Sequence, residues 1–586
     1  MSSPMSSPQI ERVDALPILV TWLQHMAVSE HIDSHWTPHR EWEGLSYGQL
    51  ALLFLTFVLH ERDHRLSVLA DWVAAHQATL TALTGWIITP ADVTDDRLGR
   101  LLEVLGQDTS QITAVQQALG RHVIRVYALP TSVARIDTTS FNVTHAANEA
   151  GQPERALLQF GYSKDQRPDL LQFKQTLATL DPGGVPLLSA TVAGNAADDP
   201  LYVPTWRELV SLLGHADFLL VADSKAAALS TRATIAGGGG RYLVPMPLTG
   251  EVPTLLRDWV LNPPLTPEPV VLPPTQDAPT KPREVGLGFE VVRRIEGQTT
   301  TGLAVAWDER WLVVQSTAYA QRQQHALTTR VQRAEQELAR FRVKKGEPAD
   351  AVQERVAGLL KRHDAAEWLT VTVTETAIVT RRSARRGRPS ATTPVEEVTT
   401  YQVHLEVQRN EEALAEELRL AGWRIYVSNS AVEDVSLMQA MALYREEWTV
   451  EHGYHRWKGG WLPALPLFLH IEQRIRGLML LLLIALQVLS LIEWQARRTL
   501  AAEQATLAGL VPGNPKMATA QPTAERLLRM FTNLHLLIHQ VGDQRLGQVL
   551  EALTPLQQRI LHLLLLPATL YSFQAQLSAT ATAAGG

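Results

Sequence analysis

The sequence predicts a multi-domain protein of mixed α/β class, helical at both ends and rich in strands in the middle. At 586 residues the chain exceeds what one hydrophobic core supports. Helix-like apolar spacing runs over about residues 14–125 and returns after residue 433. Between them, short apolar, β-branched runs bounded by turn residues read as strands.

At the N-terminal end, VDALPILVTWLQHM and YGQLALLFLTFVLH have helical spacing, and DDRLGRLLEVLG repeats it with Asp95 and Asp96 at its start. A change comes near Tyr127. ARIDTTSFNV, RALLQFGYS, VPLLSATVAG and FLLVADS read as strands, with TWRELVSLLG as the helix before the last. The tetraglycine Gly237–Gly240 lacks the lysine and following helix of a phosphate loop, so it reads as a flexible connection to the strand RYLVPMPL. Residues 262–282 are too proline-rich for a helix or a central strand and read as an extended linker or arm.

Residues 285–432 mix strands (FEVVRRI, WLVVQS, LTVTVTETAIVT, YQVHLEVQ) with a long charged helix over about 318–342 and a second helix, EEALAEELRLAG. One strong helix is expected over about 435–457. The apolar run Gly477–Ile492 follows, short of the roughly 20 residues that span a bilayer, and is read as a buried core helix with no membrane partner. The last 90 residues read as helical, ending in a small-residue tail.

The chain is 45% hydrophobic and 19% charged, as in ordinary globular proteins. It has no cysteine, which excludes disulfides, thiolate zinc sites and thiol nucleophiles and suits a reducing cytoplasm. MSSPMSSPQIERVD has no apolar core and is not read as a signal peptide. Net charge is −7, yet residues 330–388 hold fourteen basic against eight acidic residues. A local basic patch can bind phosphate in an acidic protein, so DNA remains open as a partner.

Asp137 and Asp223 each stand at the C-terminal end of an apolar strand. A carboxylate there costs desolvation unless it binds a metal or substrate, or caps the next turn. In MALYREEWTVEHGYHRWKGG, Tyr444, Glu447, Glu451 and Lys458 share one stripe at 100° per residue, with Met441, Trp448 and His455 on another side where packing is expected. Alone, such a stripe reads by default as a solvated face with paired charges.

This segment resembles the Y-(2)-R-(3)-E-(6)-K signature of the DDE transposases of bacterial insertion sequences that excise through hairpin intermediates. Tyr444, Glu451 and Lys458 keep the spacing; Glu447 stands in the arginine slot, with Arg445 nearby. GYSKDQRPDL after the first acid, GNAADD before the second and DDRLGRLL ahead of both are similar to the family's motifs, so the resemblance covers about residues 90–500. It implies an RNase H-like catalytic core interrupted by a β-rich insertion, with helical N- and C-terminal domains. The segments expected are 1–126, 127–249, 250–432, 433–500 and 501–586: DNA-reading domain, first core part, insertion, second core part and C-terminal domain.

The resemblance also implies chemistry. Asp137, Asp223 and Glu451 would hold two Mg²⁺ or Mn²⁺ ions, hard cations that prefer oxygen ligands. Water would free a 3′-OH at the element's end, which would form and reopen a hairpin and then attack target DNA. Tyr444, Arg445 and Lys458 would contact phosphates. The partners implied are terminal-repeat and target DNA, and a second copy of the chain in a synaptic dimer. The site of action implied is the cytoplasm, at the nucleoid.

Two other signals compete. His60-Glu61-Arg62-Asp63-His64 matches the H-E-x-x-H zinc motif, though charged residues fill its middle and a third ligand is missing. In TRRSARRGRPS, Arg386 and Arg388 flank a glycine as in a minor-groove arginine hook; a solvated loop is the alternative. A DNA-binding protein with an inactive core is the other reading kept open.

Overall fold

The structure, a computed structural model, describes residues 9–145, 157–272, 283–344, 346–383, 395–541 and 544–573. After strand β1 (Gln9–Arg12) come helices α1 (Leu16–His25), α2 (Val28–His35), α3 (Tyr47–Glu61), α4 (Leu69–Ala75), α5 (Gln77–Thr84), α6 (Asp95–Leu105) and α7 (Thr109–Tyr127). The third begins in a capping box of Ser46 and Gln49, and α6 begins at Asp95, where its acids face the positive end of the helix.

The centre is one mixed sheet of ten strands. Its first part comprises β2 (Val133–Val143), β3 (Leu171–Leu180), β4 (Val185–Leu188), β5 (Thr191–Ala193), helix α8 (Tyr202–Leu213), β6 (Leu219–Ala222), α9 (Leu229–Gly237) and β7 (Arg241–Pro245). Antiparallel β4, β3 and β2 lead to β6 and β7, each parallel to its neighbour. After α10 (Val252–Leu261), strands β8 (Glu268–Leu272), β9 (Arg283–Gln298) and β10 (Ala304–Ser316) continue the same sheet.

Beyond them lie α11 (Thr317–Ala339), α12 (Ala349–Arg362), the hairpin β11 (Leu369–Ser383) and β12 (Val395–Arg409), α13 (Glu411–Leu420) and β13 (Trp423–Ser428). The last returns to the sheet between β7 and β10. The two long helices and the base of the hairpin enclose a separate apolar cluster that includes Leu327, Val331, Val352, Trp368 and Val403.

Then come α14 (Leu437–Arg445), α15 (Trp448–Lys458) and α16 (Glu472–Ala502). The apolar run expected at Gly477–Ile492 is the middle of this 31-residue helix, and its most apolar window is 94% buried inside the protein. It packs against α3, α6 and β4, which is the setting of a core helix.

Several expectations are corrected. RALLQFGYS forms no strand in its described part, only an isolated bridge from Gln159 to Gln172, and the neighbouring strand is β3. The proline-rich segment contributes β8, an edge strand, where Pro269 costs no ladder bond inside the sheet. The tetraglycine is a packed turn: a Cβ on Gly238 or Gly240 would stand 2.5 or 2.8 Å from the Trp206 ring. Absence of side chains there lets Trp206 close over the backbone.

The C-terminal segment is not wholly helical. Besides α17 (Ala524–Arg529) and α18 (Pro555–Leu563) it holds β14 (Leu507–Ala508), β15 (Ala518–Thr519), β16 (His535–Val541) and β17 (Gln544–Val549). Strand β16 pairs with β1, tying the two ends of the chain together and burying Leu536 and Ile538.

Candidate active site

Parallel strands β2 and β6 are in register with Ile136 opposite Ala222, so Asp137 and Asp223 follow side by side. Asp223 accepts hydrogen bonds at Oδ1 from the Tyr202 hydroxyl at 2.5 Å and the Lys225 amide at 3.0 Å. It therefore does cap the next turn, and Tyr202, 0% exposed, also holds it in place. Asp137 accepts from the Thr138 amide at 2.7 Å, and Lys164 Nζ lies 4.0 Å away.

Burial pushes the Asp137 carboxyl up to about 7, with the charges of Asp223 and Glu447 adding to the rise and Lys164 opposing it. Lys164 comes from GYSKDQRPDL and Asp198 from GNAADD, and they meet at 3.7 Å. Asp198 also bonds Lys174 Nζ at 2.7 Å. Burial would raise Asp198, but that bond and the two lysine charges hold it below the usual carboxylate range. The two segments quoted above thus converge on Asp137, and Tyr202, Lys164 and Asp198 belong to the site although spacing assigned them no role.

The single helix expected over 435–457 is broken. Arg135, on the strand that carries Asp137, donates through Nη2 to the Leu443 carbonyl at 2.5 Å. That carbonyl would otherwise accept the Glu447 amide, which turns instead to Tyr444 O at 3.2 Å. The break places Glu447 at the start of α15 and Glu451 in its first turn. Trp448, expected on a packing side, is 53% exposed.

Glu447 is half-buried and bonded to the Tyr444 hydroxyl. Burial, and then the charges of Asp223 and Glu451, raise its pKa against that bond. The residue in the arginine slot is therefore part of the acid cluster: Asp137, Asp223 and Glu447 act on one another, and Glu451 joins through Glu447. Glu451 itself is exposed and lines a cavity of about 420 Å³ with Tyr444, Glu447 and Trp448. Arg322, Arg424 and Arg445 line the same cavity and give it a basic wall.

Helix α15 is fastened to the sheet by Tyr454, whose hydroxyl donates to the Asp137 carbonyl at 2.6 Å. Its last residue, Lys458, is ion-paired with Asp165 at 3.0 Å, another residue of GYSKDQRPDL. The Tyr444 ring packs edge-on against Tyr426 at 4.7 Å. Arg386 and Arg388 lie outside the described residues, beyond the paired ends Ser383 and Val395 of the hairpin.

The zinc reading of HERDH does not survive. Helix α3 ends at Glu61 and Arg62 turns left-handed with φ 59°, so His64 leaves the helical face that an i, i+4 ligand pair needs. His64 packs against Phe468 with ring centroids 5.5 Å apart.

No family model matches the chain, and no curated protein matches it. Among solved structures, a cryo-EM piggyBac transposase synaptic complex with hairpin DNA is similar over 51% of this chain at 10% identity, with a TM-score of 0.24. The match spans 63% of that chain's own length. A TM-score of this size does not establish a common fold.

Proposed function

We propose that the chain is a DDE transposase that cuts and joins DNA with two divalent cations held by Asp137, Asp223 and Glu451. The observation that carries the reading is the pairing of Asp137 and Asp223 on adjacent parallel strands, with the Glu451 helix fastened to the Asp137 main chain. The strand order β4-β3-β2-β6-β7, three antiparallel strands followed by two parallel ones, supports an RNase H-like core.

The donor set fits hard cations. All its members are carboxylates, and the charge of Asp223 adds to the rise of the Asp137 pKa, a repulsion that a bound cation relieves. Bound Mg²⁺ or Mn²⁺ would activate the attacking oxygen and stabilise the leaving one. Lys164 holds Asp137 towards its ionised form, and Tyr202 fixes the Asp223 carboxylate. Arg445, Lys458 and the arm bearing Arg386 and Arg388 supply phosphate contacts. In this reading the substrates are terminal-repeat and target DNA, the working form is a dimer at the nucleoid, and excision runs through hairpins.

The test is a nicking and strand-transfer assay of wild type beside Asp223→Ala on duplex ends with Mg²⁺. Cleavage by wild type alone supports the proposal. If neither protein cleaves and both bind DNA, the chain is a DNA-binding protein with an inactive core.

A further inference from the structure

We propose that His60, Glu61 and His76 form a second cation site, of the class that takes Zn²⁺, separate from the Asp137–Asp223 pair. One ligand atom from each lies within 4.8 Å of the others. Tetrahedral zinc needs ligand atoms roughly 3.4 Å apart, so closure asks for small side-chain shifts.

The His76 ring is held in the protonation form that a metal requires. His76 Nδ1 lies 2.8 Å from the Trp72 carbonyl, which can only accept, so the proton is on Nδ1 and Nε2 keeps its lone pair. That Nε2 is buried without a hydrogen-bond partner, in a residue only 5% exposed. A carbonyl-held Nδ1–H and a bare Nε2 are the arrangement of a metal-ligating imidazole.

The Trp72 indole donates to His60 Nδ1 at 3.3 Å, and His60 Nε2 faces Asp14 Oδ2 at 3.6 Å. His60 Nδ1 is also 2.7 Å from Glu61 Oε1. Two acceptors at that distance need a proton or a cation between them. Asp14 then plays the outer carboxylate that orients the ring, and is itself paired with Arg12.

The three ligands come from the last turn of α3 and the junction of α4 with α5. Asp14 adds the segment after β1, and its main chain accepts the Tyr571 hydroxyl near the other end of the chain. A cation here staples the N-terminal helices beneath the place where the two ends meet. A cavity of about 240 Å³, lined by Arg12, Asp14, Arg62 and Arg529 among others, reaches His60 and Glu61 and gives solvent access to two of the three ligands. Mg²⁺ does not suit two imidazoles, so the site is chemically distinct from the carboxylate pair.

The experiment uses the full chain, stripped with chelator, reloaded with Co²⁺ or Zn²⁺ in Mg²⁺ buffer and passed through a desalting column. Wild type and Asp137→Asn are expected to retain one metal per chain, with a tetrahedral Co²⁺ absorption band and a Zn²⁺-dependent rise in Tm. His76→Gln should bind at least tenfold more weakly and lose the Tm response while matching wild type in chelator. Should His76→Gln fail to fold, Glu61→Gln serves instead. Failure of wild type to retain metal, or retention by whichever variant folds, overturns the proposal.

Discussion

Tyr454 donates its hydroxyl to the main-chain carbonyl of Asp137 at 2.6 Å, joining the helix of Glu451 directly to the strand of the first acid. The ring is buried, and the Gln175 carbonyl lies 3.3 Å from the same hydroxyl. Tyr454→Phe keeps the packing and removes the link. It should cost about 1 kcal/mol of stability. Cleavage should fall by about ten- to a hundredfold, because small displacements of reacting groups are expensive. Denaturant melts and single-turnover cleavage measure the two effects, and an unchanged cleavage rate would show that the link does not position the acids.

The Asp137 carboxyl, pushed up to about 7 from 3.8, makes cation-free stability pH-dependent. The folded chain keeps a proton there that the unfolded chain has already lost. The group's contribution is therefore fully present below pH 3.8 and is lost as pH rises through about 7. In chelator, Asp137→Asn should melt a few degrees above wild type at about pH 8, with the gap closing towards about pH 4. Adding Mg²⁺ at the higher pH should stabilise wild type and not the variant. A gap that is constant with pH would sink the assignment.

The two acid-bearing strands were legible because both are apolar, β-branched runs ending in an aspartate. Strand β3 was not: it is buried throughout, yet carries Gln172, Lys174, Gln175, Thr176 and Thr179. Lys174 and Gln175 bond to the distant Asp198 and Ser189, partners that local periodicity cannot reveal. The helix break before Glu447 was equally hidden, because its cause, Arg135, lies 308 residues earlier. The sequence did carry a signal for Glu447, an acid where the family pattern has arginine. It registered as a departure because its acidic neighbours come from other parts of the chain.

Glu447 and Glu451 are separable by titration with Mn²⁺. Glu451 faces an open, basic-walled cavity, whereas Glu447 already holds a bond to Tyr444. Glu451→Gln should weaken Mn²⁺ binding by at least about tenfold. Glu447→Gln should weaken it by less and lower the Asp137 pKa, since one of the charges raising it is gone. The reverse ranking would hand the third ligand position to Glu447.

Arg456, 3% exposed on α15, is ion-paired with Glu493 and, at 2.7 Å, with Glu525. Burial alone would raise Glu525, but the Arg456 charge and hydrogen bond bring it down to about 2. Its contribution is thus present above 4.5 and lost as pH falls towards 2. Arg456→Leu leaves Glu493 buried without that partner and should cost about 3–5 kcal/mol. Adding Glu493→Leu should recover part of the loss, which denaturant melts of the single and double variants would show. No recovery would mean that the arginine acts by packing.

The hairpin of β11 and β12 pairs from Leu369 opposite Arg409 to Ser383 opposite Val395, so it extends fifteen residues away from its apolar base. Its paired strands are mostly exposed, and Arg381 is neutralised by Glu397 at 3.1 Å. Arg385, Arg386 and Arg388 belong to the sequence between these two strands, outside the described residues. If that segment follows DNA, Arg386→Ala with Arg388→Ala removes two phosphate or groove contacts. The salt dependence of binding should become shallower by about two charges. Cleavage at saturating DNA should stay unchanged, because the acids are carried by other strands. Fluorescence anisotropy across a salt series reads the slope, and an unaltered slope would remove these arginines from the interface.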